Sequence, residues 1–185
     1  MKLVKLRLAA VVLALPLLAF DCGGGQQDQG PPGACKLQIR GTAAGANEDL
    51  WRIVTAYDYA SLDPANTMWG FELVAYRGMT AVGAGVGFFH DGRPSVASAY
   101  GWSGASSSVS SGGATRYAAD GTTLTHEATA PLSGVGGTGA LSVTFTRIPP
   151  PGATGAQLMD VHGSLSGTLP ALDAVSPQVT FSATF

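Results

Sequence analysis

Gln178-Val179-Thr180-Phe181-Ser182-Ala183-Thr184-Phe185 carries an apolar residue at every second position, with Gln, Thr, Ser and Thr between. Successive side chains of a strand point to opposite faces, so the stretch reads as an antiparallel strand with one buried and one wet face. The same period recurs where Cys35, Leu37 and Ile39 alternate with Lys36, Gln38 and Arg40. It recurs again where Leu141, Val143 and Phe145 alternate with Ser142, Thr144 and Thr146. The final stretch ends on an aromatic, which predicts a C-terminus pinned into the sheet.

Weaker strand patterns lie near 50–59, 68–77, 80–89, 94–103, 114–119, 122–129 and 157–169. Turn chemistry separates them. Asp120-Gly121 predicts a hairpin with a type I′ turn, which needs positive φ at both central residues. Asp63-Pro64-Ala65-Asn66 and His90-Asp91-Gly92-Arg93-Pro94 are turn-like, and Pro149-Pro150-Pro151-Gly152 cannot enter a ladder because proline lacks the amide donor. Asn47-Glu48-Asp49 can cap a helix with Leu50, Ile53, Val54 and Tyr57 on one face. As a strand, the same segment places Trp51, Ile53, Thr55, Tyr57 and Tyr59 together, and its β-branched and aromatic residues favour that reading. The expectation is an all-β chain: an antiparallel sandwich or barrel of about 8–10 short strands.

Composition agrees. Charged residues make up 12% of the 185, and glycine accounts for 26. Residues after Cys22 include seven basic and eleven acidic side chains, a formal charge of −4. The basic ones are scattered singly, with no stripe to track phosphates, so nucleic acid is excluded as an expected partner.

Lys2, Lys5 and Arg7 precede thirteen uninterrupted apolar residues, Leu8 to Phe20. That length fits the core of an export signal and falls short of the ~20 residues a membrane-spanning helix needs. Asp21-Cys22-Gly23-Gly24-Gly25 follows, and with it the segment resembles a bacterial lipoprotein signal. Ala19, Phe20 and Asp21 stand where that family carries Leu, a small residue, and Gly or Ala. The resemblance implies removal of residues 1–21, lipidation of Cys22 and attachment to a membrane. Gly23 in place of Asp implies the outer membrane of the cell envelope. Residues 22–34 read as the anchor and a Gly/Gln/Pro tether, whose twelve residues after Cys22 span roughly 20 Å r.m.s.. Residues 35–185 read as a single domain. Cys35 is expected as a small buried hydrophobe; a Cys22–Cys35 disulfide is the alternative if Cys22 carries no lipid.

Few residues invite chemistry. His90, His126 and His162 each have an acid nearby in sequence, Asp91, Glu127 and Asp160, but their surroundings do not resemble one another, and no metal is expected. Gly134 to Gly139 matches G-x-G-x-x-G but precedes an alternating strand pattern, which excludes a dinucleotide turn. No serine sits in a nucleophile elbow. Glu48, Asp49, Glu72, Glu127 and Asp160 are the acids available to a paired-carboxylate mechanism, with nothing in the spacing to pair any two. Tyr100 and Trp102 share a strand face beside the Ser/Gly run 103–113, itself read as a flexible loop. Exposed, they would form a stacking platform for a sugar or an anchor for an envelope protein; buried, they are core. No catalytic residue and no cofactor are expected. The expected function is a non-catalytic envelope lipoprotein, not an enzyme, with a binding or structural role and its membrane contact at Cys22. The alternatives are a carbohydrate-binding module using exposed aromatics, or a hydrolase using His162 with Asp160 or another acid.

Overall fold

The computed structural model describes residues 35–41, 47–58, 67–77, 81–132 and 136–185. They form β1 (Cys35–Gly41), β2 (Glu48–Asp58), β3 (Met68–Arg77), β4 (Ala81–Asp91), β5 (Ala99–Ser103), β6 (Ser106–Ser107), β7 (Ser111–Tyr117), β8 (Leu124–Thr129), β9 (Ala140–Arg147), β10 (His162–Leu169) and β11 (Val179–Thr184). A 3₁₀ turn, Gly155–Met159, precedes β10, and the described residues contain no α-helix. Every strand pairing is antiparallel, in the order β6-β5-β9-β10-β11-β1-β2-β3-β4-β7-β8.

This ladder turns back on itself, so that β3 and β4 face β9 and β11 across one core. Phe145 of β9 is completely buried, and its ring lies 5.2 Å from Trp69 and 5.4 Å from Phe71, both edge-on. Phe71 also meets Phe185 at 5.3 Å. Edge-to-face and tilted rings at this spacing add a modest attraction to the large area they bury. The result is an antiparallel β-sandwich. Main-chain bonds stitch the outer edge of β8 to the opposite layer. Thr129 and Thr138 exchange N–H···O bonds of 3.1 and 2.9 Å, Glu127 donates to Pro170 at 3.1 Å, and Leu172 donates to Thr125 at 3.0 Å. That leaves this strand less open to pairing with another chain.

Val179, Phe181, Ala183 and Phe185 are all buried, as their alternation requires. Phe185 is held from both sides by Gly163, which donates to its carbonyl and accepts from its amide. The ambiguous segment is a strand, β2. Its even positions face the core: Leu50 and Arg52 are buried, and Val54 packs against the same cluster.

Three expectations are corrected. The Ser/Gly run is not simply a flexible loop, because Ser106–Ser107 pairs with β5, Val109 is buried and Ser111–Gly113 already belongs to β7. Serine hydroxyls fasten it: the Ser108 hydroxyl accepts from the Gly101 amide at 3.0 Å and the Ser107 hydroxyl donates to the Val109 carbonyl at 2.8 Å. The Asp120-Gly121 hairpin exists without a type I′ turn. Gly121 has φ +72°, but Asp120 is not in the positive-φ region. Instead its Oδ1 accepts from the amides of Thr122 and Thr123, both at 2.9 Å, so a side chain closes the turn. His90 and Asp91 complete β4, and the chain turns only at Gly92, φ +77°.

Candidate functional site

On the outer face of β3, β4 and β7 the side chains stop. Glu72 stands opposite Gly87, and Gly87 opposite Gly113. One step along, Gly85 stands opposite Thr115; one step the other way, Phe89 lies between Gly70 and Ser111. The missing side chains leave an open trough of about 680 Å³ lined by these residues. Neighbouring strands lie ~4.8 Å apart and same-face residues ~6.7 Å, so Gly85, Gly87 and Gly113 floor an area of about 5 by 7 Å. Glu72 walls one side, Thr115 one end, and Phe89 with Ser111 the other. Phe89 is 36% exposed, in contrast to the buried Phe88 beside it.

The chain uses glycine in two ways. Facing inward, glycine is compelled by packing. A Cβ on Gly167 would lie 2.5 Å from the Phe181 ring, and one on Gly112 would lie 3.0 Å from Trp102 and 2.9 Å from the Phe88 Cβ. Gly101, at φ +146°, would drive a Cβ to within 1.9 Å of the Leu141 carbonyl oxygen. The trough glycines are less tightly constrained, Gly113 least of all. None has a φ in the left-handed region. A Cβ on Gly113 would meet nothing closer than the Ala128 carbonyl at 3.6 Å, and those on Gly85 and Gly87 have nearest neighbours at 3.3 Å. Each glycine inside a strand costs about 0.5–1 kcal/mol relative to alanine. Gly113 therefore costs stability that the fold does not demand, and the three together leave the hollow.

Of the two readings of Tyr100 and Trp102, exposed platform or core, the structure shows the core. Tyr100 is 8% and Trp102 3% exposed, and both join the core. The Trp102 indole N–H donates to the Thr138 carbonyl at 3.0 Å, and the Tyr100 hydroxyl accepts from the Ser95 amide at 2.7 Å. Both share the face that β5 turns to the core, in register with the buried Val143 and Leu141 of β9. Cys22 lies outside the described residues, as does the side chain of Cys35.

The histidines serve separate places. His90 Nδ1 lies 2.9 Å from the Gly92 carbonyl, and its ring packs edge-on against Tyr100 at 4.8 Å. His126 is 5% exposed, with Nε2 3.1 Å from the Pro177 carbonyl and Nδ1 3.0 Å from the Thr125 hydroxyl. His162 Nε2 sits 3.3 Å from Asp160, whose other oxygen pairs with Arg147. The sequence neighbours Asp160 and His162 are thus brought together, and the Arg147–Asp160 ion pair links them to β9. Among the described residues no three His, Cys, Asp or Glu side chains gather where they could hold a metal.

Of the five acids open to catalysis, Glu48 is engaged by two arginines. Arg77 grips it through Nε and Nη2, both at 2.9 Å, and Arg116 Nε adds a bond of 3.0 Å. Arg77 also donates to the Tyr117 carbonyl at 2.7 Å. This network ties the start of β2 to the ends of β3 and β7. Asp49 pairs with Arg40 at 2.8 Å. Among the described residues, Glu72 is the one ionisable group lining the trough. Spacing did not reveal this site, because Gly85 and Gly87 of β4 become neighbours of Gly113 in β7 only through tertiary pairing.

Comparison with protein-family models, with curated proteins and with solved structures returns no match. The chemistry of the site must therefore be read from its residues: an open hollow with a carboxylate, two hydroxyls and an aromatic edge can hold a polar ligand.

Proposed function

We propose that this chain is an exported, lipid-anchored β-domain of the cell envelope that binds a ligand without transforming it. The observation that supports binding is the glycine-floored trough on the outer face of β3, β4 and β7. Its volume falls within the ~300–1,000 Å³ usual for small-ligand sites. Support for the anchor comes from the basic residues, apolar run and Cys22 of the N-terminal segment. A tether of roughly 20 Å would keep such a face accessible above a membrane.

The test has two arms, both on the full chain. Cys22→Ser should move the protein from the detergent phase to the aqueous phase on Triton X-114 partition; unchanged partition removes the anchor from the proposal. Gly113→Val should reduce retention on purified envelope fragments while circular dichroism stays as in the parent. Equal retention of both proteins would discard the trough. A hydrolase remains the second reading because Asp160 and His162 lie 3.3 Å apart. An activity screen in which parent turnover is lost in His162→Ala would favour it over binding alone.

A further inference from the structure

We infer that residues 170–177, between β10 and β11, form a releasable strap over the outer edge of β8, and that the edge beneath it pairs with β8 of a second copy of this chain. The strap follows β8 for one antiparallel step. Glu127 donates to the Pro170 carbonyl at 3.1 Å, Leu172 donates to the Thr125 carbonyl at 3.0 Å, and Ala171 lies opposite His126. A side chain pins the far end. The Pro177 carbonyl can only accept, so the buried His126 donates to it through Nε2 at 3.1 Å. Between these points the strap braces itself: Asp173 accepts from the Val175 amide at 3.0 Å and from the Ser176 hydroxyl at 2.8 Å.

Hydrophobic burial does not hold the strap. None of its residues is buried, and Leu172 and Val175 are 55% and 92% exposed. Segments with few buried apolar contacts and solvent-exposed backbone bonds open at the lowest cost, well short of global unfolding. Opening bares the Glu127 amide and the Thr125 carbonyl on a strand already paired along its other side with β7. Such an edge is a template for another strand. It is also complementary to itself. With β8 laid antiparallel on β8 about an axis through His126, Thr125 and Glu127 of one copy fall opposite Glu127 and Thr125 of the other. Donors then meet acceptors, and the two Glu127 carboxylates do not stand directly opposite, where like charges repel. A two-fold seam of this kind uses one patch twice and closes as a dimer.

Hydrogen exchange and sedimentation velocity of the full chain in detergent test both halves of the inference. His126→Leu keeps apolar bulk but drops the bond to Pro177, and the exposed Asp173→Ala loosens the strap without touching the core. Each should speed exchange of the Leu172 and Glu127 amides about tenfold, with the Thr129 and Thr138 amides unchanged. Each should also convert a monomeric parent into a dimer whose fraction rises with protein concentration. Glu127→Pro removes the amide that faces the strap and none that faces β7, so adding it to either variant should restore the monomer. If His126→Leu fails to fold, Asp173→Ala decides alone. Exchange unchanged in the folded variants overturns the strap. Faster exchange in a chain that stays monomeric overturns the pairing edge, and so does a dimer that survives Glu127→Pro.

Discussion

Replacing Gly113 by alanine should leave the protein as stable as before, or more so, whereas the same change at Gly101 should cripple it. At Gly113 the added Cβ meets an ordinary 3.6 Å contact, and the backbone is outside the left-handed region. The substitution then acts mainly by restricting the unfolded chain, a stabilisation of about 0.4–1 kcal/mol. With a urea m-value on the order of 2 kcal/mol/M, the midpoint should rise by roughly 0.2–0.5 M. At Gly101 the Cβ falls 1.9 Å from the Leu141 carbonyl oxygen at φ +146°, so β5 must leave β9 or the backbone must change region. Backbone strain of about 1–3 kcal/mol and overpacking of a similar size predict a loss of about 3 kcal/mol or more. The midpoint should fall by roughly 1.5 M. Urea titrations followed by tryptophan fluorescence suit both variants, since Trp69 and Trp102 are buried and report on the core. A loss above about 1 kcal/mol in Gly113→Ala would refute the reasoning. The trough glycines would then be needed by the fold, and their arrangement would say nothing about a ligand.

Phe145→Ala should cost about 3–5 kcal/mol, because it empties a fully buried site touching Trp69, Phe71, Phe88, Tyr100 and Phe185. Thermal melts should show Tm lower by roughly 6–20 °C, and a drop below about 3 °C would contradict the core assignment. Glu48→Gln should destabilise by about 1.5–3 kcal/mol by leaving the half-buried Arg77 and Arg116 without their carboxylate, measured by the same urea titration. The Asp120 carboxyl is lowered from its usual 3.8 to about 2, first by the Thr123 hydroxyl, then by the amides of Thr123 and Thr122. Because its folded value lies below its unfolded one, its contribution is present above about pH 4 and is lost as pH falls through about 2. A carbon-detected NMR titration should place its midpoint near 2, and Thr123→Ala should move it back toward 3.8.

Much of the sheet could be read from the chain because period-2 patterns are local. Residues 178–185, 141–146 and 35–40 announced themselves by alternation and became β11, β9 and β1. Elsewhere local pattern misled. The Ser/Gly run looked like a loop by composition, yet Val109 is buried there and its hydroxyls satisfy the backbone. Arg52 would not be chosen for a core by hydropathy, but strand parity carries it inward beside Leu50. Tyr100 and Trp102 were visible as an aromatic pair, while their inward orientation depended on the register of β5 against β9.

Alternation along the chain was by itself sufficient to establish the all-β antiparallel class, since side-chain direction in a strand depends on nothing beyond the next residue. Which face of each strand is buried, and which residues become neighbours, depended on register between strands far apart in sequence. Gly87 and Gly113 are 26 positions apart and become a shared floor only when β4 pairs with β7. The hollow consists of absent side chains, and an absence acquires shape only from the residues that tertiary pairing sets around it.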